Sequence, residues 1–174
     1  MIEAIVQAAG IPVYSQAADP YTAPTPKKET LIVGGTHLLP LAHLVPKYAV
    51  NAKILVPSEI PALDREIEYG RAIQFEETTK GACQGIGFAR DLGGIDSDSL
   101  DILILCSIYP AARDAFLSGA WRVVKEFGKV IVFTQSEIPH THLASFGMAA
   151  PKYYPHEGFY VGTMRKIAAI RSRN

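Results

Sequence analysis

Long apolar runs, cysteine and an excess of charge of either sign are all scarce in this chain, and each scarcity removes a class of function. No stretch approaches the roughly 20 apolar residues that cross a bilayer, so a membrane protein is not expected. Lys+Arg and Asp+Glu number 17 each, which leaves no field to draw in nucleic acid or an anionic membrane, and neither partner is indicated. Only Cys83 and Cys106 are present, far apart and without metal-type spacing; Cys106 lies in an apolar run and reads as a buried thiol of a reducing compartment. The first ten residues carry an acid, no basic segment and a short apolar run, so a secretion signal is not expected and cytoplasm is. The basic residues Arg165, Lys166, Arg171 and Arg173 read as the solvated end of the last element.

What remains is ordinary globular material: 174 residues, 48% hydrophobic, enough to bury one core. Residues 1–28 read as a short helix closed by Gly10 and then a proline-rich arm, with Pro12, Pro20, Pro24 and Pro26 breaking regular structure and Tyr14 and Tyr21 packing on the surface. Residues 29–174 read as one α/β domain. Leu31 to Val33 is a strand ending in Gly34-Gly35; Leu38, Leu41, Ala42 and Val45 give the next segment a helical stripe that Pro46 ends or kinks; Lys53 to Val56 is a second strand. Pro61 opens a helix that Gly70 stops, Ala72 to Glu76 is a third strand, and Thr78 to Leu92 is Gly-rich and mildly helical. Strands at 99–107 and 129–134 flank a helix from Pro110 to Phe127. Such alternation predicts a Rossmann-like three-layer sandwich, its mostly parallel sheet closed by an antiparallel hairpin around Pro155 to Gly158; a helix from Phe159 onward is the competing reading.

In open α/β sheets ligands bind beyond the carboxyl ends of the strands, which directs attention to particular turns. Gly34, Gly35 and Thr36 leave the first strand, where glycines let backbone N–H groups approach a ligand; the pair falls short of G-x-G-x-x-G, so a ligand without a diphosphate fits better. Glu59 follows the second strand, where a carboxylate accepts from ribose hydroxyls. Glu76 or Glu77, read as leaving the third strand, or Asp91 faces an adenine amino group, and the residues leave that choice open. Cys106, Ser107 and Tyr109 lie at the fourth exit, where Tyr109 either meets a substrate or packs over the helix start. His140 and His142 follow the fifth strand without the further ligands a metal needs; His140 suits general-base duty, since imidazole titrates near neutrality.

Gly81-Ala-Cys-Gln-Gly-Ile-Gly-Phe-Ala89 resembles the glycine motif of short-chain dehydrogenases, but that motif should follow the first strand, and Tyr160 has Met164 rather than lysine four places on. Over residues 29–168 the order of elements resembles the class I S-adenosylmethionine-dependent methyltransferases. The likeness is carried by the glycine turn, Leu100-Asp-Ile-Leu-Ile-Leu-Cys106, Glu126-Phe-Gly-Lys-Val-Ile-Val-Phe133 and Gly158-Phe-Tyr-Val-Gly-Thr-Met-Arg-Lys166. Gly35-Thr-His-Leu-Leu-Pro-Leu-Ala42 is similar to the first turn of nicotianamine-synthase-like enzymes, which transfer an aminocarboxypropyl group from the same cofactor; their proline and glutamate before the last strand correspond to Pro155 and Glu157. The resemblance implies S-adenosylmethionine as cofactor and transfer of a methyl or aminocarboxypropyl group to a small molecule near Tyr109 and His140. A catalytically silent domain of the same shape, acting as a partner subunit or homo-oligomer, is the other reading.

Overall fold

Elements built from these residues follow one another as α1 (Ile2–Ala9), β1 (Lys28–Val33), α2 (Leu38–Leu41), α3 (Leu44–Lys47), β2 (Val50–Pro57), α4 (Ala62–Thr78) and β3 (Cys83–Ala89). After them come β4 (Leu100–Leu105), α5 (Pro110–Val123), β5 (Val124–Phe133), α6 (His140–Ser145), β6 (Met148–Tyr154) and β7 (Phe159–Met164). The computed structural model describes residues 1–35, 38–80, 82–106 and 109–166. One seven-stranded sheet runs β3-β2-β1-β4-β5-β7-β6. The five strands β1 to β5 are parallel, β7 is antiparallel to β5, and β6 is antiparallel to β7.

Alternation along the central strands makes the three layers. Ile32, Ile54, Ile104 and Ile131 point to one face, where they meet Ile5, Leu41, Leu44 and Phe75 from α1 to α4. Leu31, Val33, Leu103, Leu105, Val130 and Val132 point to the other, against Phe116, Leu117 and Ala120 of α5 and Leu143 of α6. Because both faces are covered, Leu31–Val33 of β1 and Ile102–Leu105 of β4 are continuous apolar runs rather than alternating with polar residues.

Several sequence expectations hold in position. α1 ends at Gly10 in the left-handed conformation, and the hairpin lies where Pro155 to Gly158 turn. Strand, not helix, follows Phe159, and residue 167 lies outside the described residues. The proline-bearing segment after β1 is two short helical pieces, not one helix.

Others are corrected. α4 does not stop at Gly70 but continues to Thr78, so the expected strand at Ala72 to Glu76 is its second half. Its buried residues Glu68, Ala72 and Phe75 fall at spacings of four and three, and that inward stripe outweighs one mid-helix glycine. The third strand is Cys83–Ala89, inside the segment expected to be mildly helical, so Gly85 and Gly87 of the dehydrogenase-like motif lie in an edge strand rather than a strand-to-helix turn, and Gly81 lies outside the described residues. The helix expected to reach Phe127 ends at Val123, and β5 starts at once, with an irregular pairing to β4 between Leu100 and Ile102. In the arm, Tyr21 is 95% exposed and does not pack on the surface; Tyr14 lies under the Lys27 ammonium, 4.7 Å from its ring centre.

Candidate functional site

The chain turns one way from β1 to β2 and the other way to β4, which makes the carboxyl ends of β1 and β4 the switch point of the sheet. The two exits are locked side by side: the Gly34 N–H donates to the Leu55 carbonyl at 2.8 Å, and the Cys106 N–H donates to the Val33 carbonyl at 2.7 Å. Over them lies the start of α4. The Tyr109 hydroxyl at the head of α5 donates to Asp64 Oδ2 in the first turn of α4. One turn further, the Glu68 carboxylate takes the Gly35 N–H.

Gly35 is required by that approach. A Cβ there would stand 2.7 Å from Glu68 Cα and 2.8 Å from its carbonyl oxygen, contacts that backbone cannot relieve. The diglycine corner, read from the sequence as open to a ligand, is where α4 enters, and both of its glycine amides are engaged by the chain itself. Thr36 and His37 lie outside the described residues.

Glu68 is the unusual group where α4 packs on the β1 exit. Its side chain is 4% exposed and Oε2 has no hydrogen-bond partner. Burial raises its pKa from 4.5 to about 7, against the Gly35 N–H and the Arg71 charge, which lower it, and with Asp64 raising it further. The hydrogen bond to Asp64 chiefly raises the pKa of the Tyr109 phenol, which keeps the phenolic proton in place as a donor.

The remaining sequence candidates separate. Glu59 lies exposed beyond β2. Asp91 lies two residues beyond β3 at the same rim, where Oδ1 accepts the Gly93 N–H at 2.8 Å. Glu76 and Glu77 do not leave a strand: they are in the last turn of α4, which runs back from this rim toward the other end of the sheet. Cys106 is 1% exposed, its thiol within the core, and Ser107 lies outside the described residues. His140 begins α6 and meets Tyr160 edge-on at 6.0 Å, while the Tyr160 hydroxyl is tied to the Ile138 N–H and carbonyl at 2.9 and 3.0 Å. His142 Nε2 sits 3.0 Å from Asp114 Oδ2, and the Arg113 Nε–H donates to the other oxygen at 3.0 Å. Among the described residues no group of three or more His, Cys, Asp or Glu side chains is placed to hold a metal.

Sequence reasoning missed Asp64 and Glu68. Their signal was present in the spacing of Glu68 with Ala72 and Phe75, but it shows only when the helix is carried past Gly70. A cleft of about 770 Å³, lined in part by Glu3, Pro40, His43 and Lys47, opens between α1 and the α2–α3 pieces. The Met1 amino group beside it pairs with Glu157 at 2.9 Å.

The sequence matches no protein-family model and no curated protein. Solved structures do match. A Methanococcus maripaludis protein named as an S-adenosyl-L-methionine-dependent methyltransferase aligns with TM-score 0.59 at 12% identity, over 97% of this chain and 85% of its own. An RNA methyltransferase from Salinibacter ruber, in complex with S-adenosyl-L-homocysteine, aligns with TM-score 0.58 at 7% identity, over 99% and 95%. The chain has the fold of the class I S-adenosylmethionine-dependent methyltransferases. That fold also serves the cyclase SpnF, which aligns with TM-score 0.52 at 12% identity over 76% of this chain. This chain spans 56% of the length of SpnF. No helix among the described residues is long and apolar enough to cross a membrane.

Proposed function

We propose that the chain is an S-adenosylmethionine-dependent transferase acting on a small molecule, with the crevice between the exits of β1 and β4 as its cofactor site. The observation that carries this reading is the buried Glu68 carboxyl with an unpartnered oxygen at the switch point of a methyltransferase-type sheet. An orphaned acceptor of that kind is the complement of a cationic ligand, and buried polar groups are seldom left unpaired. The acceptors at the neighbouring exits suit the rest of such a molecule: Glu59 for ribose hydroxyls and Asp91 for an adenine amino group. The glycine amides are not available to it while α4 is seated, so on the side of β1 the fit depends on carboxylates rather than on N–H donors.

When bound, the cofactor supplies a carbon made electrophilic by the attached sulfonium. The chain's own part is alignment and exclusion of water, which supply most of the acceleration in a displacement of this kind. α4 covers the crevice, held by Asp64 to Tyr109 and by Glu68 to Gly35. Tyr109, its proton retained by Asp64, fixes the β4 side. His140, exposed at the start of α6, is the base assigned to take a proton from the acceptor. Whether the group moved is methyl or aminocarboxypropyl is decided by which carbon faces the acceptor.

One observation favours the second reading, a catalytically silent partner subunit: Gly34 and Gly35 already spend their amides inside the chain. Calorimetry with S-adenosylmethionine, S-adenosylhomocysteine, NADH and NADPH separates the two. Micromolar affinity for an adenosyl sulfur ligand supports the transferase, and silence toward all four supports the subunit.

A further inference from the structure

We infer that the face of the sheet over β2 and β3, on the α5 side, is an interface with a second copy of this chain, the two open faces packing on one another across a two-fold axis. The inference concerns a surface other than the proposed cofactor site and stands without it.

A parallel sheet is stable when both of its faces are covered. Here α1 to α4 cover one face, whereas the other carries only α5 and α6, which lie over β4, β5 and β6. The cause is the connection from β3 to β4: residues 90–99 contain no helix. That segment is pinned to α5 instead, where Arg122 donates to the Leu92 and Ile95 carbonyls at 2.7 Å each and Leu92 packs against Gly119. Beside it the sheet surface is bare. Leu55, Gly85 and Gly87 are only partly buried, a Cβ at Gly85 would meet nothing within 4 Å, and Lys53 in the middle of β2 is exposed. Two hollows of about 270 and 280 Å³, sharing Leu31, Lys53 and Ile95, open on this surface.

The charges on this face indicate what covers it. Lys53 and Asp96 border the same hollow, and among the described residues neither forms an ion pair. Glu29, the third charge there, is already engaged, its carboxylate taking the Asn51 amide at 2.8 Å. A face with one unpaired cation and one unpaired anion is complementary to itself: a two-fold axis brings Lys53 of one copy to Asp96 of the other, twice. A helix from another protein would need an acid and a base at one particular spacing, which a second copy supplies by symmetry. Sheets packed face to face lie about 10 Å apart, so each copy becomes the layer that the other lacks.

The test is the mass of the full chain by sedimentation equilibrium, without ligand, for the wild type, Lys53→Glu, Asp96→Lys and the two substitutions together. Both residues are exposed, and thermal unfolding establishes that each variant is folded. The wild type is expected to be a dimer, of twice 18.9 kDa, at about 100 μM chain. Each single reversal sets like charges against each other in two places and is expected to raise the dissociation constant about tenfold or more. The double substitution restores the pairing and is expected to return that constant to within roughly threefold of the wild type. A monomer at that concentration, a dimer indifferent to the single reversals, or a double variant no better than either single one overturns the inference.

Discussion

A single glycine and a single carboxyl decide what the β1 exit can do. Gly35 was legible as a backbone corner because two glycines close an apolar run, but its partner was not, since Glu68 lies 33 positions away (68 − 35) on a helix whose length the sequence understated. Replacing Gly35 by alanine drives a methyl group into α4 backbone at 2.7 Å, and overpacking of this kind costs about 1 to 3 kcal/mol; a drop in the urea midpoint without a change in slope is the expected readout. Glu68 makes stability depend on pH with a definite sign. Its folded pKa of about 7 stands above the ordinary 4.5, so the fold's full stability from this group is present below pH 4.5 and is lost as pH rises toward 7. The loss amounts to roughly 2 to 3 kcal/mol. Glu68→Gln should therefore flatten the curve between those pH values and leave the variant more stable than the wild type above pH 7, as measured by urea titrations at a series of pH values. An unchanged pH profile would show that Glu68 is not held in its neutral form.

Strands at β1, β2, β4 and β5 and the final hairpin were readable because their apolar runs are short, continuous and bounded by turn residues. The stretch from Ala62 to Ala89 was not, because glycine misleads in both directions there. Gly70 sits within a helix, on a side where a Cβ would meet nothing within 4 Å, and Gly85 and Gly87 sit within a strand. What holds α4 together is its buried side, not its propensities, and that side ties the helix to the crevice through Glu68. Since Gly70 has ordinary helical geometry and open space, Gly70→Ala should raise stability by about 0.5 to 1 kcal/mol and lift the thermal midpoint by a few degrees. A decrease would mean that another surface already occupies the space beside Gly70.

Across the whole molecule the fold class was legible from the alternation of elements, whereas the order β3-β2-β1-β4-β5-β7-β6 becomes visible only once strands are paired. That order sets where a ligand can bind, by parting β2 from β4 on either side of β1, and the antiparallel β7 beside β5 gives the sheet its methyltransferase character. Of the site, Gly34, Gly35, Cys106 and Tyr109 meet at one rim as their positions in the sequence imply, while Glu77 moves away from it with the second half of α4. Whether that rim receives an adenosyl sulfonium is a question about particular amides. In a chain of 18.9 kDa they can be followed one by one in ¹H–¹⁵N NMR spectra during titration with S-adenosylmethionine. The account predicts saturable shifts at micromolar ligand centred on Gly35, Cys106 and the first two turns of α4; shifts elsewhere, or none, would contradict it.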